Sequence, residues 1–105
     1  MYISEVIIKP NKHDRYLEGL CRQIRRDYDL ILRNIPLFSP RRRLVGEIDI
    51  LAIKGSHYDV YEVKCSFRIS KARRQLEKIK KHPSVSGSIR NMFFYCGESA
   101  KLELV

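Results

Sequence analysis

Hydrophobic and polar positions change their period several times along the chain, and each change marks an element. Residues 2–8 alternate enough to read as a short strand or an extended arm, ended by Pro10. Asn11 is then a suitable N-cap for a helix over residues 12–27. There Leu17, Leu20, Cys21, Ile24 and Tyr28 recur at helical spacing while Arg15, Arg22, Arg25 and Arg26 face outward. The apolar run at residues 30–35 could prolong that helix, but its β-branching and the following Pro36 favour a strand. Residues 36–43 hold two prolines and a basic triplet and read as a loop. Two apolar, β-branched stretches, residues 44–53 and 58–65, flank Gly55-Ser56, a two-residue hairpin signal. Ser70 can cap a helix over 71–82 that Pro83 ends. Residues 84–88 form a polar loop, 89–96 an apolar strand, and 102–105 a terminal strand or fray. Helices alternating with strands make this an α/β chain, and no internal repeat interrupts it.

The hairpin turn fixes what faces what. If Gly55 and Ser56 form the loop, Lys54 pairs with His57, Asp49 lies opposite Glu62, and Glu47 lies opposite Lys64. Side chains alternate faces along a strand, so Glu47, Asp49, Glu62 and Lys64 share one side with Leu51, Ile53, Tyr58 and Val60. A face that is apolar at its turn end and charged at the other suits the edge of a cleft; a solvated face with an exposed Glu47–Lys64 pair is the plainer alternative. Three carboxylates and an ammonium within reach of one another form a candidate divalent-cation site.

Composition narrows the setting. One domain of 105 residues can bury a core without covalent staples. The 21 Lys and Arg against 12 Asp and Glu leave a net charge of +9, which suits a polyanionic partner. No apolar run reaches the length of a spanning helix, and the first residues lack the zones of a signal peptide, so no membrane association is expected. Cys21, Cys65 and Cys96 are odd in number and show no zinc spacing; they suggest small buried side chains in a reducing, cytoplasmic compartment.

The second helix adds a basic face. Lys71, Arg73, Arg74, Lys78, Lys80 and Lys81 stand against the single Glu77, more positive charge than intrahelical pairing can neutralise, and phosphates would relieve it. The Arg41, Arg42 and Arg43 loop lies just before the Asp49 strand and can reach the same backbone. Gln75 sits on the apolar stripe of Ala72, Leu76 and Ile79, either as a satisfied core amide or as a site residue. His13, His57 and His82 fall at element ends and form no general-base constellation.

Gly46-Glu47-Ile48-Asp49, followed 13 residues after the Asp by Glu62-Val63-Lys64, resembles the signature of the PD-(D/E)xK nuclease superfamily. The chain looks most like its small Holliday-junction-resolvase-like and RecB-like members. Glu18, the Arg33-Asn34 step, Asp49, Glu62-Val63-Lys64 and Gln75 follow in the order of that family's helix, strand, strand, strand and helix. Ile48 stands where the naming proline would be, and Ile79 where RecB-type members carry an aromatic. The resemblance implies a restriction-endonuclease-like αβββαβ core, a mixed central sheet flanked by helices. It also implies Mg²⁺ or Mn²⁺ held by Asp49, Glu62 and the Val63 carbonyl, with Lys64 beside the attacking water. Glu18 would bind a second metal or orient a water, Gln75 would orient Lys64 or a phosphate oxygen, and Glu47 would be an extra ligand or the partner of Lys64.

The expected activity is therefore metal-dependent, structure-selective endonucleolytic cleavage of DNA, branched or duplex, by a homodimer that places two sites on a symmetric junction. Arg41, Arg42, Arg43, Lys71, Arg73, Arg74 and Lys78 are the expected DNA contacts. The alternative is a non-catalytic nucleic-acid-binding module on the same fold.

Overall fold

The computed structural model describes residues 11–105, so the expected strand or arm at 2–8 lies outside the described residues. Helix α1 spans Lys12–Ile24, and a single 3₁₀ turn, Arg25–Asp27, carries the chain to strand β1, Leu30–Phe38. Strands β2 (Leu44–Lys54) and β3 (His57–Lys64) follow, then helix α2 (Ile69–Lys81), β4 (Ile89–Cys96) and β5 (Lys101–Leu104). The five strands lie in sequence order in one mixed sheet. β1, β2 and β3 run antiparallel, β4 runs parallel to β3, and β5 runs antiparallel to β4. A parallel neighbour needs a crossover, and α2 supplies it.

Each helix covers one face of the sheet. Leu17, Leu20, Cys21 and Ile24 of α1 bury against Ile50, Ala52, Tyr61 and Val63. On the other face Leu76 and Ile79 of α2 meet Leu51 and Val60, and Ala72 meets Phe94 and Cys96. Odd and even positions of the central strands thus serve opposite helices, the two-sided burial that makes β2 and β3 read as near-continuous apolar runs. Fully burying each such aliphatic side chain stabilises the fold by roughly 1.5–3 kcal/mol.

The hairpin register is the expected one: Lys54 pairs with His57 across Gly55, whose φ of +59° suits a residue without a Cβ. Asn11 caps α1 as expected, its side chain accepting the Asp14 N–H at 2.8 Å. Three expectations need correction. β1 does not stop at Pro36 but runs to Phe38; among the described residues β1 is an edge strand, where a missing N–H disturbs no inner ladder. Helix α2 begins at Ile69, with Arg68 at its N-cap and no side-chain cap, so Ser70 lies inside the helix. Strict alternation of faces also fails midway along β2. Asn34 adopts φ +52°, the β1–β2 ladder skips the pair between Arg33–Ile50 and Ile35–Ile48, and Ile48 joins Leu51 in the cluster under α2. The skipped position is Asp49.

Candidate functional site

The central hairpin opens where its carboxylates begin. β2 and β3 pair from the turn only as far as Ile50 and Tyr61. Beyond that point the Val63 N–H donates to Asp49 Oδ2 at 2.8 Å, so a side chain replaces the ladder carbonyl. On its other side β3 stays paired with β4 through Lys64 and Cys96, and the Gly97 N–H donates to the Lys64 carbonyl at 2.8 Å. The Glu62-Val63-Lys64 segment is therefore held along one edge and open along the other.

Glu62 and Lys64 project to the α2 side, on the same face as Val60, as period two requires. Lys64 Nζ lies 3.3 Å from Glu62 Oε1. Glu62 is only 3% exposed, and its second oxygen, Oε2, is buried with no hydrogen-bond partner among the described residues. Burial, with the Asp49 charge nearby, pushes the Glu62 carboxyl up to about 7 against the opposing pull of Lys64. Asp49 is 7% exposed. Two buried carboxylates at one strand opening, with the Lys64 ammonium against one of them, leave negative charge that a cation would balance.

His13 completes the cluster from α1. Its Nε2 lies 3.0 Å from the Val63 carbonyl oxygen and 3.4 Å from Asp49 Oδ2. Both neighbours are acceptors, so Nε2 carries the proton. The start of α1 is seated here by Tyr16, whose ring lies so close over Gly97 that a Cβ added there would fall 2.2 Å from it. By sequence order His13 is only a residue at an element end, but its spacing carries a signal: His13, Leu17, Leu20 and Ile24 form one i, i+4, i+7, i+11 stripe, so His13 continues the buried face of the helix.

The remaining expected residues are dispersed. Glu18 pairs with Arg33 on β1 at 2.6 Å, both substantially exposed, and is not drawn into the carboxylate cluster. It lies five positions beyond His13 on the helix, about 140° round the axis, which turns it away. Glu47 is exposed and makes no pair with Lys64, whose partner is Glu62. Gln75 does not bond Lys64; its Oε1 is buried with no partner among the described residues, and it lines a groove together with Glu47. Arg41, Arg42 and Arg43 lie exposed on a turn closed by Ser39, which bonds the backbone of Arg42 and Arg43. Lys71, Arg73, Arg74 and Lys78 are exposed along α2, and among the described residues none of these seven cations pairs with a carboxylate.

Among the described residues no three His, Cys, Asp or Glu side chains form a metal-holding group. The oxygen donors at the strand opening are the Asp49 and Glu62 carboxylates and the Val63 carbonyl. All three are hard oxygens, and Mg²⁺ characteristically takes one or two carboxylates and fills its remaining positions with water. Cys21 and Cys96 are buried and Cys65 half-buried, all as free thiols. Among the described residues no helix is long and apolar enough to cross a membrane. No protein-family model matches the chain, and no curated protein matches it either.

Proposed function

We propose that this protein is a metal-dependent endodeoxyribonuclease of the PD-(D/E)xK type, with a restriction-endonuclease-like core and branched or duplex DNA as substrate. The observation that carries the reading is the buried Asp49–Glu62 pair at the opening of β2 and β3, with one Glu62 oxygen unpartnered and Lys64 beside it. The order α1-β1-β2-β3-α2-β4 supports it, since it is the αβββαβ order the motif implies, with β5 added at the edge. The net charge of +9 and the exposed cations of α2 and the Ser39–Arg43 turn would supply a phosphate-binding surface round an acidic centre.

The donor set fits Mg²⁺ or Mn²⁺. Asp49, Glu62 and the Val63 carbonyl would hold the ion, joined by His13 if its Nε2 exchanged its proton for the metal. When bound, the ion supplies Lewis acidity at the phosphate and at a water. The chain's own residues do the rest. Val63 N–H fixes the Asp49 carboxylate, and Glu62 holds the Lys64 ammonium over the opening. Lys64 then orients the attacking water and offsets charge gathering on a non-bridging phosphate oxygen. The water oxygen bonds to phosphorus as the bond to the leaving sugar oxygen breaks; the water gives up one proton and the leaving oxygen takes one. The exposed cations of α2 hold phosphates without reading bases. Two copies of so small a domain would place two sites on a symmetric junction.

The test is incubation with linear, flapped and four-way DNA, with Mg²⁺ or with EDTA. Mg²⁺-dependent cleavage is expected, lost in Asp49→Asn and reduced roughly 10²–10⁴-fold in Lys64→Ala, while DNA affinity in EDTA stays near that of the wild type. Cleavage by Lys64→Ala at the wild-type rate would remove the lysine from the mechanism.

A further inference from the structure

A groove of about 890 Å³ lies between the β1–β2 arm and α2. Glu47 and Gln75 are among its lining, and Glu47 stands two residues from Asp49 along β2. Leu37, Phe38, Val45 and Ile79 give it an apolar floor and wall, and Lys78 and Lys81 rim it. His82, also in the lining, donates from Nε2 to the Phe38 carbonyl at 2.9 Å and accepts the Ser84 N–H at Nδ1, which ties the arm to the end of α2. Phe38 and Val45 are half exposed, at 51% and 47%. The turn that carries Arg41, Arg42 and Arg43 joins the two strands of the same arm.

We infer that this groove takes an unpaired nucleotide of the DNA strand next to the scissile phosphate, its base against Phe38 and Val45 and its phosphates on Lys78 and Lys81. The inference rests on the nuclease reading and names its substrate: DNA with a single-stranded arm at the point of cleavage. Two observations favour this occupant. The groove's chemistry is divided as a nucleotide is, with apolar Leu37, Phe38 and Val45 beside the cations Lys78 and Lys81. Glu47 of its lining stands two residues from Asp49 along β2, so a strand whose scissile phosphate lies at Asp49 comes within reach of the groove. Gln75 Oε1, buried without a partner, offers an acceptor for the exocyclic amino group of a base. A base within a duplex has both faces covered by its neighbours and its pairing edge engaged, so only an unpaired base can present a free face to Phe38.

The experiment uses the full chain in EDTA and a duplex with a single-stranded arm carrying 2-aminopurine at the first unpaired position. Binding should quench the probe, and Phe38→Ala should abolish the quench and weaken affinity for the armed duplex by about 5- to 100-fold, leaving affinity for blunt duplex unchanged. An abasic residue at that position should reproduce the loss in the wild type and add nothing in the variant. An unquenched probe, or equal affinity of Phe38→Ala and wild type for the armed duplex, would overturn the proposal. A dimer that dissociates in Phe38→Ala while the probe stays unquenched would give the groove to a second copy of the chain, and overturn it too. Cleavage with Mg²⁺ separates the two claims. Absence of cleavage on every substrate with the quench intact defeats the nuclease reading and leaves the groove; cleavage without quench or Phe38 dependence defeats the groove and leaves the nuclease.

Discussion

Strand β3 buries two carboxylates three residues apart and treats them in opposite ways. Asp59, near the hairpin turn, is 2% exposed, and Glu62, at the opening, is 3% exposed. Arg90 grips Asp59 with two bonds, at 3.1 and 2.7 Å; the Tyr28 hydroxyl donates at 2.5 Å and the Asn91 N–H at 3.1 Å. Burial alone would raise its pKa, but the bonds from Arg90, Tyr28 and Asn91 outweigh it and hold the carboxyl below its usual range. Glu62 has one lysine, one bare oxygen and a carboxyl raised to about 7. The first carboxylate has its bonding filled from within the fold. The second has bonding left over, and a protein keeps such a deficit where an outside group fills it.

That contrast can be broken by pH. Below pH 4.5 Glu62 is protonated in both native and unfolded chains. Between 4.5 and about 7 the unfolded chain ionises while the native one keeps its proton, so stability falls as pH rises, and above 7 the whole loss is in place. Glu62→Gln carries no such loss. In EDTA, its stability relative to the wild type should rise by on the order of 3 kcal/mol between pH 4.5 and 7.5, read by urea unfolding. Parallel stability curves for the two proteins would mean that Glu62 is satisfied after all.

The other carboxylate should answer in the reverse sense. Asp59→Asn leaves Tyr28, Arg90 and Asn91 with a poorer acceptor. The buried side of this pair would command a large penalty, but Arg90 is 41% exposed and recovers hydration, so about 2 kcal/mol is expected at neutral pH. The variant should lose stability and keep its Mg²⁺-dependent cleavage, the opposite of Glu62→Gln. Urea unfolding beside a cleavage assay checks both halves; lost cleavage in a folded Asp59→Asn protein would erase the distinction between the two ends.

What the sequence disclosed divides along the same line. The Gly55-Ser56 turn set the register, and the register put Glu62 and Lys64 on the face of α2, because a two-residue loop and period two are local rules. Local rules also placed α1 and its Asn11 cap. They did not reveal that Asn34 turns left-handed and that the ladder lapses at Asp49, a property of three strands together. Period two alone therefore sets Glu47 opposite Lys64, whereas the partner of Lys64 is Glu62. Glu18 went to Arg33 because helix rotation, not order in the chain, decides which side chain faces the sheet. His13 was legible only by extending the apolar stripe of α1 one turn toward its start. The Asp59 cluster is not legible locally, because Tyr28, Asp59 and Arg90 are brought together from three separate parts of the chain.

The central claim is that the open end of the hairpin is built for a divalent cation, and calorimetric titration with Mn²⁺ in the absence of DNA tests it most directly. Wild type and Asp59→Asn should each bind Mn²⁺ with the same affinity, and Glu62→Gln should bind at least about tenfold more weakly, since a lost ligand costs no less than the 10–100-fold typical of its supporting partners. Equal binding by all three proteins, or none by the wild type, would contradict the account.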